Sequence, residues 1–192
     1  MSHPFFAFIS RMRYINRWGL MRNSRPENVA EHSAAVAMIA HALAVIRNRR
    51  FGGHVNADRV ALLALYHDAE ETITGDMPTP VKYFNPQIKA SYGEIETQAK
   101  ERLLSMLPEA LSDDYRAILF GGTEEEQTLI KAADVLAAYI KCIEEENSGN
   151  RDFARAKEAN LAKLQSMGLP EANVFLEEYV PAFSQSLDEL GE

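Results

Sequence analysis

The feature that most constrains the fold is a long apolar stretch, AAVAMIAHALAVI, at residues 34–46. Just before it, Asn28 and Glu31 have the spacing of a capping box, in which two side chains satisfy the free N–H groups of a helix start. The pattern predicts a helix from about Asn28 to about Arg49. Because this helix is apolar on nearly all sides, we expect it to lie at the centre of the protein.

Helix start and stop signals recur along the rest of the chain, whereas the alternation typical of β-strands is nearly absent. Gly75 suits the end of one helix, and Thr123 with Glu126 forms a second capping-box pair. Besides the central helix, further helices are predicted over about 4–15, 56–74, 86–106 and 123–147, with one or two shorter ones within 152–190. The sequence therefore predicts an all-α fold, a compact bundle of six or more helices in which residues 1–192 form a single domain.

Composition narrows the class of protein. A net charge of −8 argues against binding to a nucleic-acid polymer, and the single cysteine, Cys142, favours a reducing compartment. No apolar run approaches the roughly 20 residues needed to cross a bilayer, and the N-terminal FFAFI patch lacks the features of a signal peptide. We therefore expect a cytoplasmic protein that does not insert into a membrane.

Charge is unevenly distributed along the chain. Residues 1–26 contain five arginines and no acidic residue, although the whole protein is acidic. A basic segment on an acidic body could steer a small anion such as phosphate to one place. For most of these arginines, however, an exposed helix face is the simpler interpretation.

Ionisable side chains interrupt three of the predicted apolar helices. His67 and Glu71 continue the core-facing stripe of the third helix, with Asp68 beside it, and His32 begins a buried stripe on the second. Asp134 lies within IKAADVLAAYI on the fifth predicted helix. Two imidazoles and two carboxylates on separate helices would form a mixed N/O ligand set, which suits a divalent transition-metal ion.

Each of these residues also has a simpler interpretation. A lone histidine in a core is more often bonded to a backbone carbonyl than to a metal ion. Asp134 could instead pair with Lys131 or Lys141, and Glu70 is expected to face solvent. The joint pattern, rather than any single residue, favours a metal site.

The same residues carry a resemblance. His32, the His67-Asp68 pair and the distant Asp134 resemble the H…HD…D signature of the HD-domain metal-dependent phosphohydrolases. The stretches NRWGLMRNSRPENVAEHS, LYHDAEETITGDMPTPVKYFN and KAADVLAAYIKC are similar to the HD-domain 5'-deoxynucleotidases of bacteria. The Arg-Trp and GDMPTP elements are more specific to this subgroup than the metal signature, and the similarity runs along nearly the whole chain.

The resemblance implies an HD-type fold, a homodimer and a defined reaction. His32, His67, Asp68 and Asp134 would hold one divalent transition-metal ion per chain, such as Co or Mn. Glu71 would be the catalytic residue that deprotonates the attacking water. The implied activity is hydrolysis of deoxyribonucleoside 5'-monophosphates to deoxyribonucleosides and inorganic phosphate.

The resemblance also implies a set of substrate contacts. Arg17 and Trp18 would contact the nucleotide and select against a 2'-hydroxyl; the alternative role for Trp18 is that of a large core anchor. Lys82 is a further candidate for a long-range phosphate contact. The full implied substrate-binding set is Arg17, Trp18, His32, Asp68, Asp76, Met77, Pro78, Thr79 and Asp134.

Two alternatives to this function stay open. One is an HD phosphohydrolase that acts on a nucleoside triphosphate, a cyclic nucleotide or an alarmone. The other is a non-catalytic, nucleotide-sensing helical module whose metal ion only braces the core.

Overall fold

The computed structural model describes residues 2–191, and over this range the chain forms eleven α-helices and three 3-10 helices, with no β-strand. The all-α prediction is confirmed. The α-helices are α1 (Phe5–Ile9), α2 (Val29–Arg50), α3 (Ala57–Leu65), α4 (Glu71–Thr74), α5 (Thr79–Lys82), α6 (Pro86–Leu104), α7 (Glu109–Leu119), α8 (Glu124–Asn147), α9 (Ala154–Met167), α10 (Pro170–Glu178) and α11 (Leu187–Leu190). The 3-10 helices are Ser10–Tyr14, Arg151–Phe153 and Val180–Ser184.

The helix α2 is the centre of the larger core. It packs against α3, α8 and α10, and its inward side chains, such as Val36, Ala40 and Leu43, are fully buried. Of the predicted capping box, the N-cap contact is present, because the Asn28 side chain accepts the Glu31 backbone N–H at 3.0 Å, whereas the Glu31 carboxylate lies near Arg25 instead. One face is open to solvent, since Met38 is 69% exposed, so α2 is less completely buried than its composition predicts.

Among the described helices, α2 is the one that is long and apolar enough to span a bilayer by length and composition alone. The expectation that no apolar run approaches this length does not hold for this helix. Half of its most apolar 18-residue stretch is buried inside the protein. A core helix of a folded domain typically shows this extent of burial.

A second, smaller core lies beside the first. It contains Phe5 from α1, Leu103 from α6 and Leu119 from α7, and Ala69 reaches into it from the segment after α3. The residues just before that segment, Leu63 and Ala64, belong to the larger core instead. The chain between Ala64 and Ala69 therefore crosses from one core to the other, which restricts its position from both sides.

The predicted third helix, 56–74, is wrong in its second half. The α-helix ends at Leu65, residues 66–70 form turns, and only Glu71–Thr74 is helical again. We call residues 66–70 the HD turn. The Ala64 carbonyl accepts both the His67 backbone N–H at 3.3 Å and the His67 Nδ1–H at 2.7 Å. A continuing α-helix would need that carbonyl for the N–H of Asp68, so the His67 side chain helps to end it.

A non-helical segment, which we call the Trp loop (residues 15–28), joins the N-terminal helices to α2. An isolated antiparallel bridge between Asn16 and Asn28 closes its base. Its far end is fastened to α8 by the buried Glu145 carboxylate, which accepts the backbone N–H groups of Ser24 at 2.8 Å and Arg25 at 3.3 Å. The same carboxylate accepts hydrogen bonds from the ammonium of Lys141 and, at 2.7 Å, from the Asn150 amide.

The Glu145 network predicts an acid-sensitive contribution to stability. Burial alone would raise the pKa of Glu145, but the hydrogen bonds from Lys141 and Asn150 lower it to about 2, from an ordinary value of 4.5. Because the folded pKa lies below the unfolded one, this stabilisation is complete above pH 4.5 and is lost as the pH falls towards 2. It corresponds to on the order of 3 kcal/mol. We expect urea unfolding at pH 7 and at pH 3 to reveal a smaller loss of stability on acidification in Glu145→Gln than in the wild-type protein.

The exposed neighbour Glu144 provides the matched control, since Glu144→Gln changes the same charge on the same helix. This control should reproduce the wild-type acid profile. Equal losses of stability on acidification in all three proteins would show that Glu145 does not contribute in this way.

Candidate metal centre and active site

The four residues of the H…HD…D pattern lie together. His32 Nε2, at the start of α2, is 3.0 Å from Asp134 Oδ1 on α8 and 3.8 Å from Asp68 Oδ2. His67 Nε2 lies 3.1 Å from the same Asp68 oxygen. Candidate ligand atoms of His32, His67 and Asp68 all fall within 4.8 Å of one another. The predicted alternative partners of Asp134 are not used, because Lys141 is bonded to Glu145 and Asp134 faces His32.

The geometry of His67 suits a metal ligand. A carbonyl can only accept, so the contact with Ala64 O places a proton on Nδ1 and leaves Nε2 directed at the cluster. This Nε2 atom is buried and has no hydrogen bond of acceptable angle, despite its proximity to Asp68. An orphaned imidazole nitrogen among carboxylates is the arrangement that a divalent cation would complete, so these residues fit such an ion.

The electrostatics of the cluster point the same way. Burial alone would lower the pKa of His67, but the adjacent Asp68 and Asp134 carboxylates raise it to about 9. Burial would raise the pKa of Asp68, yet His67, His32 and Arg17 hold it well below its usual range. Burial would also raise the pKa of Asp134, but the hydrogen bond with His32 outweighs this effect, so the pKa is lowered. The carboxylates of the site therefore favour positive charge beside them, which is the condition that a metal site requires.

Glu71 lies in the same electrostatic environment, at the start of α4. Its pKa is raised to about 10 by burial and by the nearby Asp68 and Asp76 carboxylates, with Arg17 acting in the opposite direction. The pKa of Asp76 is raised as well, mainly by burial. Carboxylates thus outnumber cations here, and an anionic substrate would be repelled unless further positive charge were present.

Arg17 is the guanidinium that faces the cluster. Its Nη1 lies 3.5 Å from Asp68 Oδ2 and its Nε lies 3.3 Å from Glu27 Oε2. The other four arginines of residues 1–26 are exposed, as expected for a solvated surface. Arg17 is the exception, with 13% of its side chain exposed.

Trp18 has features of both a core anchor and a nucleotide contact, the two roles considered for it from the sequence. Its ring packs on Phe153 with a centroid distance of 5.1 Å, which is the contact of a core anchor. Its indole Nε1–H donates to Glu27 Oε2 at 2.8 Å, which ties it to the same carboxylate as Arg17. The residue is only partly buried, so part of its surface stays accessible to solvent.

The GDMPTP segment follows α4. Asp76, Met77 and Pro78 are partly buried in the connection to α5, and Asp76 interacts electrostatically with Arg17 and Asp68. Thr79 is exposed at the first position of α5. Of the predicted substrate-binding residues in this segment, Asp76 is therefore the one whose charge is coupled to the cluster.

A stripe on α6 holds this segment and was missed by sequence reasoning. Tyr92, Glu96 and Lys100 are spaced four residues apart and so share one helix face. The Tyr92 hydroxyl donates to Gly75 O at 3.3 Å, and Glu96 Oε1 accepts from Lys82 Nζ at 2.7 Å. Lys82 is therefore engaged with α6 rather than held free for phosphate. The four-residue spacing of these polar side chains is the sequence signal that could have revealed the stripe.

Lys100 completes the stripe and corrects one expectation. Glu70, which we expected to face solvent, is buried, and its Oε1 lies 3.5 Å from Lys100 Nζ. Burial raises the pKa of Glu70 to about 7, against the opposing effect of Lys100. The expectation was wrong because the HD turn, unlike a continuous helix, rotates residue 70 inwards.

Comparisons with known proteins agree with this geometry. The family model of YfbR-like 5'-deoxynucleotidases matches residues 4–183. A curated 5'-deoxynucleotidase of Yersinia pestis is 54% identical over 195 residues, which covers 99% of this chain and 97% of the relative. Among solved structures, an HD-domain phosphohydrolase from Listeria innocua has a TM-score of 0.81 at 26% identity, covering 94% of this chain and 88% of that one.

A cyanophage S-2L HD phosphohydrolase, solved with dA and one catalytic Zn²⁺ ion, has a TM-score of 0.67 and covers 91% of this chain and 95% of that one. At 19% identity, this second structure supports the fold alone. The family-model match and the full-length identity establish the relationship: the chain belongs to the YfbR-like 5'-deoxynucleotidase family of HD-domain phosphohydrolases.

Proposed function

We propose that this protein is a metal-dependent 5'-deoxynucleotidase, which hydrolyses deoxyribonucleoside 5'-monophosphates to deoxyribonucleosides and inorganic phosphate. The observation that carries the proposal is the convergence of His32, the HD turn and Asp134, with Arg17 and Glu71 beside them. Full-length similarity to curated 5'-deoxynucleotidases supports this choice over a triphosphatase or a sensing module.

We propose that His32, His67, Asp68 and Asp134 hold one divalent transition-metal ion, such as Co or Mn. The mixed imidazole and carboxylate set supports an ion of this class. When bound, the ion would offset the negative charge of the site and withdraw charge from the phosphorus of the substrate. Positive charge beside Asp68 and Asp76 also favours the ionised form of Glu71, because it opposes the repulsion that raises the pKa of this carboxyl.

Arg17 is proposed to bind the phosphate. A guanidinium has five N–H donors, and the contacts with Glu27 and Asp68 use only two of them. The remaining donors can form a two-pronged contact with phosphate oxygens. Trp18 is proposed to close off the space at C2' of the sugar, so that a ribonucleotide hydroxyl would have neither room nor a partner.

Glu71 is proposed as the general base. It lies three residues after Asp68 and interacts electrostatically with that ligand and with Asp76. In its ionised form it would accept a proton from the attacking water. Asp76 is proposed to accept a hydrogen bond from a sugar hydroxyl and Thr79 to donate one to phosphate, with Met77 and Pro78 shaping the segment between them.

We further propose that residues 1–192 act as one HD-type domain, in the cytoplasm and as a homodimer. The family match over residues 4–183 supports the single domain. The single cysteine is consistent with the location, and the family resemblance suggests the dimer.

Phosphate release from matched deoxy- and ribonucleoside 5'-monophosphates tests the function. We expect release from the deoxynucleotides, about 10- to 100-fold slower release from the ribonucleotides because their extra hydroxyl would be left unpaired, and none in excess chelator. Release from triphosphates or cyclic nucleotides alone would favour the other enzyme class. No release from any nucleotide would favour the sensing module.

The role of Glu71 is tested by Glu71→Gln, which removes the ionisable group with little change in shape. Turnover should fall by about 10²- to 10⁴-fold, the usual contribution of a positioned proton acceptor. The metal content measured by elemental analysis should stay at the wild-type level. A variant with a near-normal rate would remove Glu71 from the mechanism.

The metal site is tested by His67→Ala, with His41→Ala as the control. His41 is an exposed histidine on α2 whose nearest acidic partner is the exposed Asp58 at 3.7 Å. We expect one ion per chain in the wild-type and His41→Ala proteins, and much less than one in His67→Ala. A chelator should lower the unfolding temperature of the wild-type and His41→Ala proteins but not that of His67→Ala, because only the former two lose a bound metal ion. Two tightly held ions per chain would contradict the single-site proposal.

A further inference from the structure

Glu27 occupies a central position in the candidate site, although none of the sequence motifs assigns it a role. It is the last residue before the α2 cap Asn28, and only 16% of its side chain is exposed. Its backbone carbonyl accepts the Arg17 N–H at 2.9 Å, within the bridge that closes the Trp loop. Both its backbone and its side chain therefore contact the Arg17-Trp18 pair.

The two carboxylate oxygens of Glu27 face different partners. Oε2 accepts the indole N–H of Trp18 at 2.8 Å and the Nε–H of Arg17 at 3.3 Å. Oε1 lies 4.0 Å from His32 Nδ1, a buried atom that has no hydrogen-bond partner. One carboxylate thus adjoins the proposed sugar wall, the proposed phosphate contact and a candidate metal ligand.

The conformation of Trp18 depends on contacts of this kind. Its φ of 57° is in the left-handed region, which a bulky non-glycine residue adopts only when its surroundings hold it there. Phe153 contacts the ring, and Glu27 contacts its only polar atom. Because the indole N–H can only donate, the position of the Glu27 acceptor sets the direction of the ring.

Glu27 also determines which way Arg17 is pulled. The guanidinium lies between two carboxylates, with Nε towards Glu27 and Nη1 towards Asp68. Without Glu27, the attraction to Asp68 would be unopposed, and the guanidinium would move towards a candidate metal ligand. The donors left for phosphate would then point elsewhere.

We propose that Glu27 is a positioning residue for sugar selectivity. Its carboxylate holds the Trp18 indole and the Arg17 guanidinium in a fixed relation to His32, so that the wall at C2' and the phosphate contact engage one substrate together. This inference rests on the proposed 5'-deoxynucleotidase function and adds a determinant of its preference for deoxynucleotides.

The test uses Glu27→Gln and Glu27→Ala in the full-length, metal-loaded protein. The glutamine oxygen can still accept from Trp18 but lacks the charge that attracts Arg17, whereas alanine removes both contacts. Glu31→Gln is the matched control, because Glu31 is an exposed glutamate four residues away whose partner is the exposed Arg25 at 3.7 Å. The measured quantity is the ratio of kcat/KM for a deoxynucleoside monophosphate to that for its ribonucleotide counterpart.

We expect this ratio to fall by about tenfold or more in Glu27→Ala, to be partly retained in Glu27→Gln and to be unchanged in Glu31→Gln. The ratio does not depend on the fraction of active enzyme, so a loss of stability alone does not alter it. If Glu27→Ala fails to fold, Glu27→Gln is tested by itself, with a smaller fall expected. Equal loss of activity on both substrates in a folded variant would overturn the proposal.

Fluorescence gives an independent measurement, because Trp18 is the only tryptophan of the chain. In metal-free and nucleotide-free protein, its emission should shift to longer wavelength in Glu27→Ala, as the indole loses its partner and meets more water, and stay unchanged in Glu31→Gln. Unchanged emission in a folded Glu27→Ala would overturn the positioning role. If the wild-type protein releases no phosphate from any nucleotide, the proposed function fails, whereas the emission still decides whether Glu27 positions Trp18.

Discussion

The rest of the structure depends on a concentration of negative charge where α2, the HD turn and α8 meet. Carboxylates that are buried or partly buried cannot accumulate in an apolar interior unless positive charge balances them. The raised pKa of His67 and the lowered pKa of Asp68 both result from this need for balancing positive charge. Packing supports it, since the HD turn lies between two hydrophobic cores that hold Ala64 and Ala69. A divalent cation in this place would satisfy the charge and also supply the chemistry of phosphate ester hydrolysis.

The chemistry-bearing segments are mostly not regular helices, yet each is fastened to one. The Trp loop is tied to α8 through the buried Glu145 carboxylate. The α6 stripe contacts the GDMPTP segment through Tyr92. It contacts the flanking residues Lys82 and Glu70 through Glu96 and Lys100. Such contacts give irregular backbone the fixed geometry that a binding site needs. The helices therefore provide a rigid scaffold, and polar contacts from the helices fix the positions of the loops.

Local signals in the sequence predicted local structure well. The capping residues Asn28 and Thr123 mark the starts of α2 and α8, because a cap is recognised by neighbours only three residues away. The same kind of reasoning was wrong for the segment after Leu65, where a side chain bond from His67 to the Ala64 carbonyl ends the helix. It was also wrong for Glu70, which the HD turn directs inwards and whose carboxylate lies 3.5 Å from Lys100 on a different helix. Periodicity describes a regular helix and carries no information about either contact.

The amino-acid sequence by itself determined the helical class, the main helix starts and the residue types available for a metal site, all of which follow from interactions within a few positions. Only the tertiary structure decided which side chains meet. His32 and Asp134 are 102 residues apart, Arg17 and Asp68 are 51 apart, and Ser24 and Glu145 are 121 apart. The position of Glu27 between Trp18, Arg17 and His32 is likewise a product of loop closure. Contacts over such separations arise from packing of the whole bundle, because no local preference of the backbone encodes them.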